Sequence, residues 1–281
     1  MFFSFLSMYV FALRLALLNI LRGRIRRGVY LFVRPLDYWR VFEFPVALEY
    51  LHPAAGEHIL DIGSPKLFPM FVASRSHSHV YATDIYDDKG LTDTRFFTDA
   101  TACNTLHVVI NDVRGLPYPD HSFDKVFSIS VLEHVFPATG GDVSAFKEIA
   151  RVLRPSGIAV VTLPFSGHHY EEFRDEDIYE RKKSHAGEKV FYQRHYSDES
   201  VHALVREAGS LEIVRREYIC ERFFHRKGRE LCTFISEGNK LKRLSLAPFY
   251  SLFAFIFLKR SLQPIPSSEF MTVSLALRKK T

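Results

Sequence analysis

The sequence predicts an α/β fold with a doubly wound, mostly parallel sheet. Three short apolar runs end in the carboxylates Asp61, Asp84 and Asp112. An apolar run that closes on an acid is typical of a buried parallel strand, and such strands present their carboxyl ends to a ligand crevice. We therefore expect the three acids at one edge of the sheet, where two neighbouring carboxylates suit a ribose with its two hydroxyls.

The N-terminal segment is predicted to be an apolar helix with a basic flank. Residues 1–21 are almost wholly apolar, and Ser4, Ser7 and Arg14 fall on one narrow arc of a helix. Four arginines follow within residues 22–27. A mid-helix arginine costs about 2.5 to 3.5 kcal/mol on insertion, so we expect residues 1–28 to lie in a membrane interface rather than to span the bilayer. Packing on the protein's own core is the alternative that the sequence leaves open.

Serine and proline after the first strand predict the start of a helix. Gly63 is followed by Ser64, Pro65 and Lys66. Ser64 suits an N-cap, and Pro65 suits the first turn of a helix because its ring presets φ.

The second half of the chain is predicted to continue the alternation of helices and strands. Residues 142–153 have apolar residues at helical spacing, and the helix is expected to stop at the turn 154–157. Residues 158–164 read as a buried strand. A helix capped by Ser197 comes later, without a full capping box because a serine, Ser200, stands three residues after the cap.

Two regions of this half lack a regular pattern. Residues 165–196 are polar and rich in aromatic residues and histidines, which favours a substrate lid. Residues 211–220 and 270–278 read as strands, with an insertion of about fifty residues between them, longer than a hairpin needs. The apolar heart of the insertion, residues 244–258, has cations on both sides and is too short to cross a bilayer, so we expect an interfacial helix or packing on the domain surface.

Charge and cysteine content limit the classes of function. The net charge is +5, and the first forty residues alone hold seven arginines and one acid. These arginines stand among apolar residues rather than on a polar stacking platform, so nucleic acid is not expected as a partner. Three cysteines without a C-x-x-C pair suggest neither a disulfide framework nor a zinc site, and a reducing, cytoplasmic setting is the expectation.

The ordered motifs resemble a known family. Ile59-Leu-Asp-Ile-Gly63, Asp84, Asp112, the run from Leu116 to His134 and the turn at 154–157 together resemble the class I S-adenosylmethionine-dependent methyltransferases, in particular the branch of small-molecule and quinone-type enzymes. The resemblance implies a Rossmann-like sheet of seven strands that ends in an antiparallel hairpin. Together with the apolar and basic segments described above, it divides the chain into the N-terminal segment 1–28, a core over 29–220 with its lid at 165–196, the insertion 221–268 and a last strand within 269–281.

The resemblance also implies roles for particular residues. Asp84 would bind the ribose hydroxyls, Asp112 the adenine amino group, and Val113 the adenine ring through its backbone N–H. The full set of expected cofactor-binding residues is Asp61, Gly63, Ser64, Asp84, Ile85, Asp112, Val113 and Ser128. Trp39, Arg40 or Glu43 could line the entrance, with packing and surface charge as the alternative.

Candidate residues for chemistry and substrate binding come from the polar loop and from the end of a fourth predicted strand, residues 124–130. His134 could take a proton from an acceptor hydroxyl, because imidazole titrates near neutrality; the alternative is a histidine that only packs beside the cofactor. The loop residues His168, His169, Tyr170 and Tyr196 are predicted to contact the substrate, and no metal site is proposed because the histidine spacing is unclear.

The sequence thus predicts a methyltransferase that is attached peripherally to a membrane and acts on a small, lipid-like or membrane-presented molecule. Ser64, Pro65 and Lys66 stand where the family usually has further glycines. For that reason an inactive scaffold or interaction subunit with the same fold is the alternative.

Overall fold

The computed structural model describes residues 1–87, 89–175, 189–222, 245–265 and 271–281. Three helices come first, and strands and helices then alternate from residue 58 to residue 110. The helices are α1 Phe2–Leu21, α2 Ile25–Val33, α3 Arg40–Leu51, α4 Leu67–Ser76, α5 Lys89–Thr101, α6 Gly141–Val152, α7 Asp198–Glu207 and α8 Tyr250–Phe257. The strands are β1 His58–Ile62, β2 His79–Asp84, β3 Leu106–Ile110, β4 Phe123–Ile129, β5 Leu153–Phe165, β6 Tyr170–Arg174, β7 Val190–His195, β8 Leu211–Glu221, β9 Leu258–Ser261 and β10 Met271–Lys279.

The predicted mostly parallel sheet is confirmed, with eight strands rather than seven. The order is β3-β2-β1-β4-β5-β10-β8-β9. Strands β1 to β5 run parallel, whereas β10 pairs antiparallel with both β5 and β8. The eighth strand is β9, which pairs antiparallel with β8. Part of the insertion therefore extends the sheet, a pairing that the apolar pattern of residues 244–258 did not reveal.

Two apolar layers cover the sheet. Side chains alternate along each buried strand, so Ile59 and Leu60 of β1 belong to different core clusters. Helices α1, α3, α4 and α8 pack on the side of Ile59, and α6 and α7 pack on the side of Leu60. The sheet is thus buried on both faces, as doubly wound folds require.

The N-terminal helix packs on the domain with one face. Phe5, Met8, Ala12, Leu15 and Ala16 of α1 are buried. Helix α2 folds back on α1, and Gly28 makes this close approach possible because a Cβ there would lie 2.5 Å from Ile20 Cγ1 and 2.7 Å from the Ala16 carbonyl. At 20 residues with a mean hydropathy of 1.8, α1 is also long and apolar enough by composition to cross a bilayer.

Local expectations differ from the structure at the start of α4 and at the end of α6. Helix α4 begins at Leu67, and Ser64 does not cap it; instead the Ser64 hydroxyl accepts a hydrogen bond from the Ile129 N–H, 3.0 Å away on β4. Strand β5 begins at Leu153, earlier than predicted, because Leu153 already pairs with Phe123. The expected turn at 154–157 survives as an irregularity inside the strand, with Ser156 at φ +63°.

Two further expectations are corrected in the second half of the chain. The polar stretch 165–196 contains strands β6 and β7, which pair antiparallel, and its residues 176–188 lie outside the described residues. The capping box of α7 is complete: Ser197 Oγ accepts from the Ser200 N–H, and Ser200 Oγ accepts from the Ser197 N–H at 2.8 Å. A serine hydroxyl thus replaces the glutamate of the usual box.

Candidate functional site

A cleft of about 460 Å³ opens at the carboxyl ends of the parallel strands. The ends of β1 to β4 and the segment after β4 form its walls. The lining residues are Ile62, Gly63, Thr83, Asp84, Ile85, Tyr86, Asn111, Asp112, Val113, Arg114, Ser130, Val131, His134, Val135 and Phe136. The strand order brings these residues together, because β1 lies between β2 and β4, and β3 lies next to β2. This edge of a doubly wound sheet is where ligands bind in such folds.

Gly63 forms the turn at the bottom of the cleft. Its φ of +66° is a left-handed backbone conformation that residues other than glycine rarely adopt. A Cβ at this position would also lie 2.7 Å from Val131 Cγ1. Both observations require a glycine here, because the chain must turn sharply and pass close to the end of β4.

Lys66 joins two of the predicted carboxylates. Its Nζ lies 3.1 Å from Asp84 Oδ2 and 3.5 Å from Asp61 Oδ2, and it donates a hydrogen bond to the Thr83 carbonyl at 2.8 Å. The lysine side chain is nearly buried, and Asp61 is completely buried. Burial raises the pKa of Asp61 to about 6, although Lys66 and Ser64 act in the opposite direction.

Asp84 and Asp61 therefore have different positions relative to the cleft. Asp84 lines it, with 24% of its side chain exposed, and its Oδ1 accepts from the Ile85 N–H. Asp61 lies behind the lining, where its Oδ1 accepts from the Ser64 N–H at 3.1 Å. Asp61 therefore holds the turn. Its position does not favour direct contact with a ligand in the cleft.

Asp112 lines the opposite wall and is paired with Arg114. Arg114 Nε lies 3.0 Å from each carboxylate oxygen of Asp112, and Arg114 Nη1 donates to the Phe136 carbonyl at 2.8 Å. The hydrogen bond from Arg114 lowers the pKa of Asp112. The arginine thus connects the end of β3 to the segment after β4, a contact that the sequence did not signal.

Ser64 and Ser128 lie beneath the cleft. Both are completely buried. Ser128 Oγ donates to the Ile62 carbonyl at 2.9 Å, so both serine hydroxyls link β1 and its turn to β4. Of the eight predicted cofactor-binding residues, the structure brings five into the lining: Gly63, Asp84, Ile85, Asp112 and Val113.

A polar group formed by Arg40 and Glu43 of α3 and by Ser130 supports the wall of the cleft. Arg40 Nη1 donates to Ser130 Oγ at 2.9 Å, and Ser130 Oγ donates to Glu43 Oε1 at 3.1 Å. Arg40 and Glu43 also pair with each other. Ser130 lines the cleft, whereas the two charged residues lie behind it. Trp39 packs edge-on against Tyr38 and is part of the surrounding core.

His134 lines the cleft beside a buried acid, Glu133. His134 Nδ1 lies 2.8 Å from the Tyr192 carbonyl, so this nitrogen carries the proton and Nε2 is the basic atom in the neutral ring. Glu133 Oε1 lies 3.7 Å from Nε2. Burial raises the pKa of Glu133 to about 8. Nothing in the sequence marks Glu133, because a glutamate before a histidine gives no sign of burial.

Arg194 of β7 fixes the segment that forms the upper wall. Its guanidinium is buried and donates to the carbonyls of Val135, Pro137 and Ala138, at 3.0, 2.6 and 2.5 Å for the closest pairs. It also lies 3.4 Å from Asp142 Oδ2. The peptide bond before Pro137 is cis. Arg194 thus acts on the cleft by holding backbone that includes Val135 and Phe136.

The four predicted substrate-binding residues lie outside the lining of the cleft. His168 and His169 are exposed. Tyr170 stacks on His195 with ring centroids 4.3 Å apart, and the buried Tyr196 donates its hydroxyl to Asp142 Oδ2 at 2.9 Å. In the described part of the chain, no group of three or more His, Cys, Asp or Glu residues is placed to hold a metal ion.

Comparison with known proteins gives a family match over the region of the cleft. Residues 60–161 match a methyltransferase domain model. A curated relative, the O-methyltransferase cnsE of Penicillium expansum, is 29% identical over 128 residues, which is 42% of this chain and 42% of the relative. The chain therefore matches about two fifths of the length of that relative.

Solved structures share the fold at low sequence identity. The [4+2]-cyclase SpnF superposes with a TM-score of 0.55 and 17% identity, covering 85% of this chain and 80% of its own. Phosphoethanolamine N-methyltransferase 2 of Haemonchus contortus, in complex with phosphomonomethylethanolamine and S-adenosylhomocysteine, superposes with a TM-score of 0.52 and 18% identity, covering 85% of this chain and 53% of its own. At such identities the likeness concerns the fold alone.

Proposed function

Since the chain contains a methyltransferase domain of the class I S-adenosylmethionine-dependent family, we propose that it methylates a hydroxyl of a small, lipid-like or membrane-presented acceptor. The observation that carries this proposal is the convergence of Gly63, Asp84, Asp112 and His134 on one cleft within the matched region. An O-methyltransferase among the relatives supports a hydroxyl as the acceptor group.

The cleft residues fit an adenosine-bearing cofactor. The partly exposed Asp84 carboxylate keeps lone pairs for the ribose hydroxyls, since a carboxylate offers about four acceptor positions and two are used here. Apolar surface from Ile85 and Val113 suits the adenine ring. The cofactor supplies an activated methyl group on a sulfonium, so the protein mainly has to align the two reactants.

The residues near His134 would serve the acceptor. With Nδ1 held by the Tyr192 carbonyl, His134 Nε2 is the atom that can take the proton from an acceptor hydroxyl as its oxygen attacks the methyl carbon. The buried Glu43 and the partly exposed Arg40 and Ser130 keep this part of the cleft polar and fixed. General-base assistance of this kind contributes about 10²- to 10⁴-fold, so His134→Ala should lower kcat within that range and leave cofactor affinity nearly unchanged.

Calorimetric titration tests whether the chain binds the cofactor. We expect S-adenosylhomocysteine to bind the folded full-length chain, and Asp84→Ala to abolish or strongly weaken binding. Asp87→Ala is the matched control, because Asp87 is a nearby exposed acid that pairs with Arg95 and is not part of the lining. A folded protein that binds neither S-adenosylmethionine nor its demethylated product would contradict the proposal.

The acceptor can be sought directly. Lipid extracts incubated with the wild-type chain and with Asp84→Ala should differ by a species heavier by one methylene. If S-adenosylmethionine binds but no extract or small molecule gains a methyl group, methyl transfer to a lipid-like acceptor is contradicted.

A cofactor-free scaffold is the second candidate, and the position of Lys66 favours it. Lys66 already neutralises the carboxylate that would hold the ribose, at 3.1 Å. In the Asp84→Ala variant an enzyme would lose cofactor binding, whereas a scaffold would keep its partner and its role.

The proposed location is the cytoplasmic face of a membrane, with peripheral attachment. A lipid-like acceptor would then be presented at the surface where the enzyme sits. The apolar helix α1 and the arginines that follow it support this location.

A further inference from the structure

We propose that α1, α2 and α8 form one continuous surface that docks on the face of an anionic lipid bilayer. This surface would provide the peripheral attachment in the proposed function, and it can be tested without cofactor or acceptor. Three features of the structure carry the inference: the second apolar face of α1, its continuation on two other helices, and the exposed arginines among them.

Helix α1 has two apolar faces. The buried face packs on the protein, as described above. The opposite face is exposed and is also apolar: at 100° per residue its members fall within an arc of about 100° and run the whole length of the helix. They are Phe2, Phe3, Leu6, Val10, Leu17 and Leu21, and Phe3 is 83% exposed. A helix that only covers a core needs one apolar face, so the second face requires another apolar contact.

The surface continues on α2. Ile25, Val29 and Phe32 are exposed and follow each other at helical spacing. The close contact of Gly28 with α1 holds the two helices side by side. The exposed apolar residues of both helices therefore lie on one closely packed pair of helices.

Helix α8 joins this surface at the beginning of α1. The Phe255 ring lies 4.6 Å from Phe5 and 6.1 Å from Phe2, measured between centroids. The exposed residues of this region are Phe249, Leu252 and Ile256. Two apolar segments at opposite ends of the sequence thus meet in space.

Exposed apolar residues are concentrated here. Of the 21 large apolar residues that are exposed in the described ranges, 14 lie in residues 1–32 or 249–256. Scattered exposed apolar residues are normal, but a contiguous patch of this kind marks a contact site.

The arginines of this surface divide into two groups. Arg24 and Arg27 pair with Asp93 of α5 and so hold α2 against the domain. Arg14, Arg22 and Arg26 are exposed, and no acid in the described part of the chain forms an ion pair with them. Cations beside an apolar face match anionic head groups, at about 1 kcal/mol for each arginine.

Charge also decides between a bilayer and a second copy of the chain. In a twofold symmetric dimer the same patch would face itself, so the three unpaired arginines of each copy would be brought near those of the other. An anionic bilayer offers both the apolar contact and the opposite charge.

The helix is expected to lie along the bilayer rather than cross it. To span, α1 would have to leave the domain and expose the core that Phe5, Met8, Leu15 and Ala16 now cover. In the docked state the buried face stays on the domain and only the outer face enters lipid.

Vesicle co-sedimentation of the full chain tests the surface. We expect binding to phosphatidylcholine vesicles that contain phosphatidylserine and about 100-fold weaker binding to phosphatidylcholine alone, since three arginines lose about 1 kcal/mol each. The triple variant Arg14→Gln, Arg22→Gln, Arg26→Gln should lose the same preference. The matched control replaces Lys147, Arg206 and Lys280 by glutamine, which are exposed cations elsewhere on the molecule without an ion pair among the described residues.

The apolar part has its own variants. Phe3→Glu with Leu17→Glu should reduce binding at least tenfold, whereas Val214→Glu, an exposed apolar position on β8, should leave it unchanged. Circular dichroism and thermal unfolding check that each variant folds. We expect all of them to fold, because Phe3, Leu17 and Val214 are exposed.

Three outcomes would overturn the inference. Equal vesicle binding by the surface variants and their controls would show that the patch is not involved. A dimer that Phe3→Glu converts to a monomer, with no vesicle binding by the wild type, would assign the patch to a second copy. Retention of the chain in membranes at alkaline pH would indicate a spanning helix. None of these results depends on whether the chain binds S-adenosylmethionine.

Discussion

Lys66 places a cation between the two acids at the first strand ends. Lys66 stands in the turn where the family usually has glycines. From there it contacts Asp61, Asp84 and the Thr83 carbonyl. A buried carboxylate such as Asp61 needs a compensating charge, because its desolvation is otherwise unfavourable. We therefore regard Lys66 as a positioning residue for Asp84.

Replacing Lys66 tests this role. In Lys66→Met we expect S-adenosylhomocysteine to bind at least tenfold more weakly, because a hydrogen bond to a charged group contributes about 1.5 to 3 kcal/mol, and Lys66→Arg should restore part of the affinity. Calorimetry at pH 6, 7 and 8 gives a second signal. The pKa of Asp61 is already about 6 and should rise without the lysine. Protonation weakens the hydrogen bond by which Asp61 holds the turn at Ser64, so affinity in Lys66→Met should fall further as the pH decreases.

The opposite result would be equally informative about Lys66. If Lys66→Met bound the cofactor more tightly than the wild type, Lys66 would be a competitor of the ribose for Asp84, as the scaffold alternative requires.

Glu133 gives the protein a predictable pH dependence of stability. Burial raises its pKa from 4.5 to about 8 in the folded protein. The folded state thus holds a proton that the unfolded chain releases near its ordinary pKa. The resulting stabilisation is complete below about 4.5 and is lost as the pH rises through 8.

The neutral variant Glu133→Gln should remove this dependence. Between pH 6 and 9 we expect the melting temperature of the wild type to fall relative to that of Glu133→Gln, with a difference of a few kcal/mol in the free energy of unfolding at the alkaline end. Thermal unfolding followed by circular dichroism measures it, and exposed Glu207→Gln serves as the control. Parallel pH curves for Glu133→Gln and the wild type would contradict the raised pKa.

At the scale of elements, the pair of helices α1 and α2 depends on one glycine. Gly28 allows the backbones to approach, and a Cβ would meet both Ile20 Cγ1 and the Ala16 carbonyl. Valine at this position is a better helix former in isolation than glycine, so any loss of stability must come from the contact.

Gly28→Val should therefore destabilise the fold by about 1 to 3 kcal/mol through overpacking. Denaturant unfolding measures the change. Gly167→Val is the control, because a Cβ there would meet nothing within 4 Å. A similar loss in both variants would show that the cost does not arise between α1 and α2.

The hairpin of β6 and β7 holds one wall of the cleft in place. Arg194 and the Tyr192 carbonyl, both on β7, hold the segment 133–138 and the ring of His134. Strands β6 and β7, at the base of the predicted lid, thus support the cleft wall. Its contact with substrate stays a prediction.

At the scale of the whole molecule, the N-terminal helices are part of the folded domain. Phe11 of α1 contacts Phe71 of α4 and Phe97 of α5, with ring centroids 5.5 and 5.7 Å apart. Each large apolar side chain that is fully buried contributes about 1.5 to 3 kcal/mol. Because α1 completes the core in this way, its removal should lower the stability of the whole domain.

Deletion of residues 1–33 should consequently lower the melting temperature and increase aggregation. We expect this effect in buffer without membranes or detergent, because it arises from the exposed core. Thermal unfolding and light scattering of the shortened and full chains check this. A shortened chain as stable and soluble as the full one would show that α1 is dispensable for the core. For the same reason, point variants are better tests of membrane docking than truncation.

The sequence determined the strands that end in the three acids and the edge at which these acids lie, because the apolar runs, their closing residues and their order are local features. It also carried the family motifs around Gly63, Asp84, Asp112 and His134. Tertiary structure alone decided that Lys66 joins Asp61 to Asp84, that Arg194 holds the cleft wall, and that α1 meets α8. These contacts join residues far apart in the sequence or buried by other elements, and no periodicity or spacing records them.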